Sequence, residues 1–230
     1  MSDKKAIVLL SGGLDSTTCL AIAKSQGFKP HCLSFQYGQL HSGEIDASRK
    51  VASHFGVEEH TILQLPSNAF KSALTGQGKV PKYDQSPSGE GIPVTYVPAR
   101  NTIFLSYALA LAEVTEIEDI FIGVSSVDYS GYPDCRPEFI DAFEKLANAA
   151  TKIGTTTGHI NIIAPLINLT KAETIKLGIS LGVDYSMTHT CYDPDENLRA
   201  CGHCDSCLLR KKGFEEAGIA DPTVYVQDTK

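Results

Sequence analysis

Two short stretches of the chain carry groups whose type and spacing can do chemistry. The first runs Leu9-Leu10-Ser11-Gly12-Gly13-Leu14-Asp15-Ser16-Thr17-Thr18-Cys19. Glycines let backbone N–H groups approach an anion, and a helix N-terminus behind them adds favourable potential. No Gly-Lys-Ser/Thr follows, so this is not a Walker loop; on Gly-Gly alone it is equally the glycine-rich first turn of any α/β protein. The second stretch holds Cys191, Cys201, Cys204 and Cys207, spaced C-x9-C-x2-C-x2-C. Four thiolates at that spacing close a tetrahedral zinc site with no open position, which makes its role structural. An iron–sulfur cluster is the rival for the same ligands. Cys32 and Cys135 are read as packing thiols, as is Cys19 for its side chain.

The pattern predicts the elements that must position these groups. Ala6-Ile7-Val8-Leu9-Leu10 is a continuous apolar run, as expected of a strand buried on both faces. Asp15 or Ser16 is placed to cap the following helix. Further strands are expected at 30–35, 59–65, 119–125 and 161–164, with helices over 43–55, from Arg100, beyond Phe139 and from Lys171. Thr170 and Glu173 are spaced as a capping box. Strands alternating with helices give βαβ units, hence a doubly wound, parallel, five-stranded sheet. Ligands on such sheets lie outside the carboxyl ends of the strands. That rule draws in Gln36, Tyr37 and Gln39 after the second strand. It also draws in Arg100 and Asn101 at a helix start, where a guanidinium suits phosphate or carboxylate. Lys171 either reaches phosphates from its helix start or is merely solvated. Asp128, Tyr129, Asp134 and Arg136 lie in a loop rich in carboxylates and tyrosines, suited to pairing with and stacking on a polar heterocycle. Residues 67–95 have no period and are expected to form a mobile flap, with Lys79 and Lys82 as anion contacts.

The chain has 230 residues, 42% hydrophobic and 20% charged, with a net charge of −7. It is neither disordered nor membrane-like in composition, and one main domain (1–187) with a cysteine subdomain and C-terminal helix (188–230) is expected. The acidic balance argues for a small-molecule substrate, with no nucleic acid and no membrane as partner. Seven cysteines without a secretory leader point to a reducing compartment, the cytoplasm.

The full string Ser11-Gly12-Gly13-Leu14-Asp15-Ser16 resembles the PP-loop of the ATP pyrophosphatases. That resemblance implies an adenine nucleotide alpha hydrolase-like, Rossmann-like fold. It also implies that Ser11, Gly12, Gly13 and Ser16 grip ATP phosphates, with Asp15 near Mg²⁺. SGGLDS, FQYGQ, VPARN, DYSGYPDCRPEF and the four cysteines occur together and in order, from Leu9 to Leu208. This combination resembles the 7-cyano-7-deazaguanine synthase family, with Ser126 standing where that family favours asparagine. The resemblance implies an ATP-dependent ligase of queuosine precursor biosynthesis. It would act on 7-carboxy-7-deazaguanine and ammonia through an amide, as a homodimer with one structural zinc per chain. Asp15, Arg100 and Lys171 are the expected catalytic set. Leu9 to Cys19 are expected to hold ATP, and Gln36, Tyr37, Gln39, Asn101, Asp128, Tyr129, Asp134 and Arg136 the heterocycle. The alternative is a PP-loop tRNA sulfur transferase, which needs a basic surface and a separate catalytic cysteine pair. A zinc-stabilised binding module without ATP turnover is a third possibility.

Overall fold

The computed structural model describes residues 4–40, 43–67, 70–84, 91–127, 131–156 and 158–227. Lys5–Leu9 (β1), Lys29–Gln36 (β2), Glu59–Gln64 (β3), Asp119–Phe121 (β4) and Asn161–Ile163 (β5) form one sheet, all pairs parallel, in the order β3-β2-β1-β4-β5. Its helices are Leu14–Ser25 (α1), Gly43–His54 (α2), Arg100–Thr115 (α3), Pro137–Ala150 (α4), Lys152–Thr155 (α5), Lys171–Ser180 (α6) and Asp205–Ala217 (α7). The chain winds outward from β1 to β3, then returns to the other side of β1 for β4 and β5. The strand order therefore reverses between β1 and β4, where a crevice opens.

Both faces of the sheet are covered, which is why the strands are apolar without alternation. Ile7 and Leu9 point into one core with Leu105 and Ala108 of α3 and Ile140 and Phe143 of α4. Ala6 and Val8 point into the other with Cys19 and Leu20 of α1 and Val51 of α2. A third cluster joins α1, α6 and α7 through Leu14, Ile175, Tyr185 and Phe214. The expected doubly wound sheet is thus the observed one.

Three local expectations are corrected. β4 ends at Phe121, not Ser125: Ile122 N still donates to Ile163 O at 2.9 Å, but beyond it the chain leaves the sheet. Ser126 N then bonds Ile167 O at 3.0 Å. Helix α1 begins at Leu14 with Gly13 as N-cap and no side-chain cap. Residues 67–95, where described, are not a flap. Phe70, Leu74 and Val80 are buried in the main core, and a turn at Ala73–Thr75 is closed by a Ser72 capping box. Lys79 is exposed, and Lys82 lies 2.7 Å from Asp193 beside the cysteine loop. The anchors at Phe70, Leu74 and Val80 follow no helical or strand period, so pattern alone hides them. Among the described residues no helix is long and apolar enough to cross a membrane.

Phe121 is fully buried, edge-on to Phe28 at 5.1 Å. Phe121→Ala is expected to cost about 3–5 kcal/mol in urea unfolding. Val114→Ser, at a site 82% exposed, should stay within about 0.5 kcal/mol.

Candidate active site and metal centre

At the β1/β4 switch lies a cavity of about 250 Å³. Its floor is the turn after β1. Ser16 Oγ lies 2.9 Å from Ser11 Oγ and accepts Ser11 N at 3.2 Å; Gly13 N donates to Ser11 Oγ at 3.2 Å. The turn is pressed from two sides. Gly12, at φ +84°, faces the α2 backbone so closely that a Cβ would fall inside contact distance of Glu44 O and Ser48 N. Gly123, just past β4, faces the Asp15–Ser16 backbone, and a Cβ there would stand 2.9 Å from it. From below, the Ser34 hydroxyl donates to Leu10 O and meets His60 Nε2 at 2.8 Å. Burial keeps the His60 pKa low.

Lys171 opens α6, which carries the expected Thr170–Glu173 capping box. Its ammonium lies 2.7 and 2.8 Å from the two Asp15 oxygens. Asp15 and Lys171, 156 residues apart, are therefore one ion pair at the cavity edge. Arg100 stands at the start of α3, after Ala99 in the left-handed region at φ 54°. A backbone strained in this way persists only where the surrounding structure over-determines it. Arg100 Nη1 donates to Tyr37 OH at 3.2 Å, and Tyr132 and Tyr192 complete its surroundings. Burial pushes the phenols of Tyr37 and Tyr192 up, so they stay neutral. Among the described residues the guanidinium meets no carboxylate at ion-pair distance. A half-buried cation without a counter-charge is costly and suits an anionic ligand.

Leu9, Leu10, Ser11, Gly13, Leu14, Asp15, Ser16, Tyr37, Gln39, Arg100, Asn101 and Lys171 all line this cavity. The rest of the sequence-derived set lies elsewhere. Gly12 sits under α2, and Thr17, Thr18 and Cys19 are buried on α1. Thr18 Oγ1 meets Tyr185 OH at 2.7 Å, and burial pushes the Cys19 thiol up. Gln36 is exposed at the end of β2. Asp134 is buried with its carboxylate accepting Asn101 N at 3.0 Å, which caps α3 from a distant loop. Exposed Arg136 turns back to Pro133 O at 3.2 Å. Asp128 and Tyr129 fall outside the described residues. The sequence pattern does not single out Gly123, Glu44, Thr190, Tyr192 and Ser206, which also line the cavity, as does Tyr132 of the tyrosine-rich loop. Gly123 is hidden because the strand expected at 119–125 places it inside the sheet, whereas β4 ends before it.

The four cysteines converge. Sulfurs of Cys191, Cys201, Cys204 and Cys207 lie within 4.8 Å of one another, with Cys201 and Cys207 at 4.0 Å. A tetrahedral ion with bonds of about 2.3 Å holds sulfurs roughly 3.8 Å apart, so this donor set fits a metal ion. Backbone N–H groups of Cys201 and Asp193 point at Cys191 Sγ, and that of Cys204 at Cys201 Sγ, at 3.2, 3.4 and 3.4 Å. Such donors favour thiolates. The centre ties to the cavity through its loop: His189 N donates to Gly12 O at 3.0 Å, and Ser206 Oγ to Thr190 O at 2.6 Å.

The family model for queuosine biosynthesis protein QueC matches residues 5–218. A 7-cyano-7-deazaguanine synthase of Myxococcus xanthus is 59% identical over 97% of this chain and 98% of its own. One from Syntrophobacter fumaroxidans is 59% identical over 98% and 97%, and one from Coxiella burnetii 60% over 97% and 98%.

The contacts at Gly12 predict an asymmetry between neighbouring glycines. Gly12→Ala should lose more than about 1 kcal/mol in urea unfolding. Gly13→Ala should lose less, because Gly13 sits at φ −81° and its nearest contact would be Ser11 Oγ at 3.3 Å.

Proposed function

Since the chain belongs to the QueC family of queuosine biosynthesis proteins, we propose that it converts 7-carboxy-7-deazaguanine and ammonia to 7-cyano-7-deazaguanine at the expense of ATP. The observation that carries this reading is identity of about 59% along nearly the whole chain to relatives named for that product. The cavity is consistent with it. The turn from Ser11 to Ser16 offers N–H and hydroxyl groups to phosphate oxygens at the start of α1. With ATP bound, Lys171 would turn from Asp15 to the charge building on the leaving phosphates, and the Asp15 carboxylate so released would hold Mg²⁺. Arg100 faces an anion, either the substrate carboxylate or the α-phosphate it attacks. Tyr37, Tyr132 and Gln39 border the heterocycle, with Asp128 and Tyr129 expected from the same loop. Asn101 and Asp134 hold the start of α3.

In this scheme the acid carboxylate attacks phosphorus, pyrophosphate leaves, and ammonia displaces AMP to give the amide. A second activation at the same loop drives dehydration to the nitrile. Residues 1–187 carry the chemistry, and 188–230 form the metal-bearing subdomain. The metal is zinc, held by Cys191, Cys201, Cys204 and Cys207 as a closed structural site. The protein acts on free small molecules without nucleic acid or membrane partners, as a cytoplasmic homodimer.

Chromatography of reactions with the acid, ammonium, ATP and Mg²⁺ tests the activity directly. The expected result is nitrile with AMP, and conversion of the synthetic amide without ammonium. An amide that binds competitively but never turns over would refute the single-site sequence. Absence of acid-dependent ATP cleavage would refute the function.

For the metal, elemental analysis should give one zinc per chain. Cys204→Ser should lower the melting temperature sharply, since structural zinc contributes roughly 10–16 kcal/mol of apparent binding energy in small zinc peptides. Iron with labile sulfide would refute the zinc assignment.

A further inference from the structure

A reaction that joins an acid to ammonia brings two oppositely charged reactants to one cavity. The acid is an anion, and ammonia near neutral pH is mostly ammonium. Arg100 answers the first charge. For the second, the described residues that line the cavity offer two carboxylates, Asp15 and Glu44. Asp15 is held by Lys171 through both oxygens. Asp134 is turned into the start of α3. Glu44 differs: among the described residues its side chain meets only the Gln39 amide, at 3.5 Å, and no cation.

Glu44 is also held in position. It lies in the first turn of α2, where the helix dipole favours a carboxylate. Its own carbonyl is one of the atoms pressed against Gly12, which ties its backbone to the phosphate-side turn. Gln39 is fixed by accepting Tyr37 N at 2.7 Å and donating to Phe35 O at 3.0 Å. The amide that touches Glu44 is thus anchored to the end of β2, next to the phenol that meets Arg100.

Resting on the ligase reading above, we propose that Glu44 is the ammonium site and the catalytic base for amide formation. The Glu44 carboxylate holds ammonium as its counter-ion while Arg100 holds the anionic partner across the cavity. The nitrogen must lose two protons in all. Glu44 accepts one as the nitrogen lone pair forms the C–N bond to the activated carboxyl carbon. The C–O bond to the phosphate then breaks, and its electron pair leaves with AMP. The second proton passes from the cationic adduct to water, and Glu44 returns its own proton to water before the next cycle. No oxidant or further reactant is required.

The test compares the unmodified chain with Glu44→Gln and Glu44→Asp in two assays. One titrates ammonium at saturating acid and ATP; the other follows acid-dependent exchange of labelled pyrophosphate into ATP without ammonium. Glu44→Gln should lower kcat/KM for ammonium by about 100-fold, well beyond any loss of exchange, and Glu44→Asp should recover part of it. Equal losses in both assays would place Glu44 with the nucleotide and overturn the assignment, as would an unaltered ammonium dependence. An unmodified chain without acid-dependent exchange would overturn the ligase reading itself, and the Glu44 assignment with it.

Discussion

The site depends on backbone crowding at one point of the sheet. Where the strand order reverses, the turn after β1 is wedged between α2 and the segment leaving β4, with no room for a side chain at Gly12 or Gly123. Those two contacts bring the start of α1, the first turn of α2 and the exit of β4 to one place. Helix dipoles, loop N–H groups and the residues that begin each helix then share one small cavity. Any Cβ there separates the layers, so the requirement is steric before it is chemical.

Around that point charge is distributed unevenly. Asp15 and Lys171 neutralise each other. Arg100 is surrounded by phenols, of which burial keeps Tyr37 and Tyr192 neutral, and the Glu44 side chain touches only an amide among the described residues. Holding a cation without a carboxylate costs stability, as does the left-handed Ala99 that aims Arg100. Costs of this kind are tolerated where a ligand supplies the missing partner.

The cysteine loop acts on the same turn from the other side. Arg210 is buried on α7, donating to Tyr185 O at 3.1 Å, to Thr188 Oγ1 at 2.8 Å and to Asp221 at 3.0 Å. The C-terminal segment is bridged to the cysteine loop at Ala200 and Tyr225, and the Tyr225 hydroxyl donates to Asp221 at 2.6 Å. The loop from Tyr185 to Thr190 is thereby fixed at both ends, and His189 passes that rigidity to Gly12. Cys191, Cys204 and Cys207 belong to the main core, so the four-cysteine cluster is continuous with that core rather than hanging from it.

Much of this was legible in the residues alone. The apolar runs, the glycine turn, the Thr170–Glu173 box and the cysteine spacing are local patterns, and local geometry follows from them with little help from the rest of the chain. They point to the doubly wound sheet and to the turn from Leu9 to Ser16 on the cavity floor. What they could not give depends on distance in sequence. The pairing of Asp15 with Lys171, the cap that Asp134 places on Asn101 and the burial of Phe70, Leu74 and Val80 are contacts across tens of residues. Each is set by how the layers pack, and no period records it. The same holds for Glu44: as a residue it is one acid on an amphipathic helix, and only the approach of α2 to Gly12 places it at the cavity.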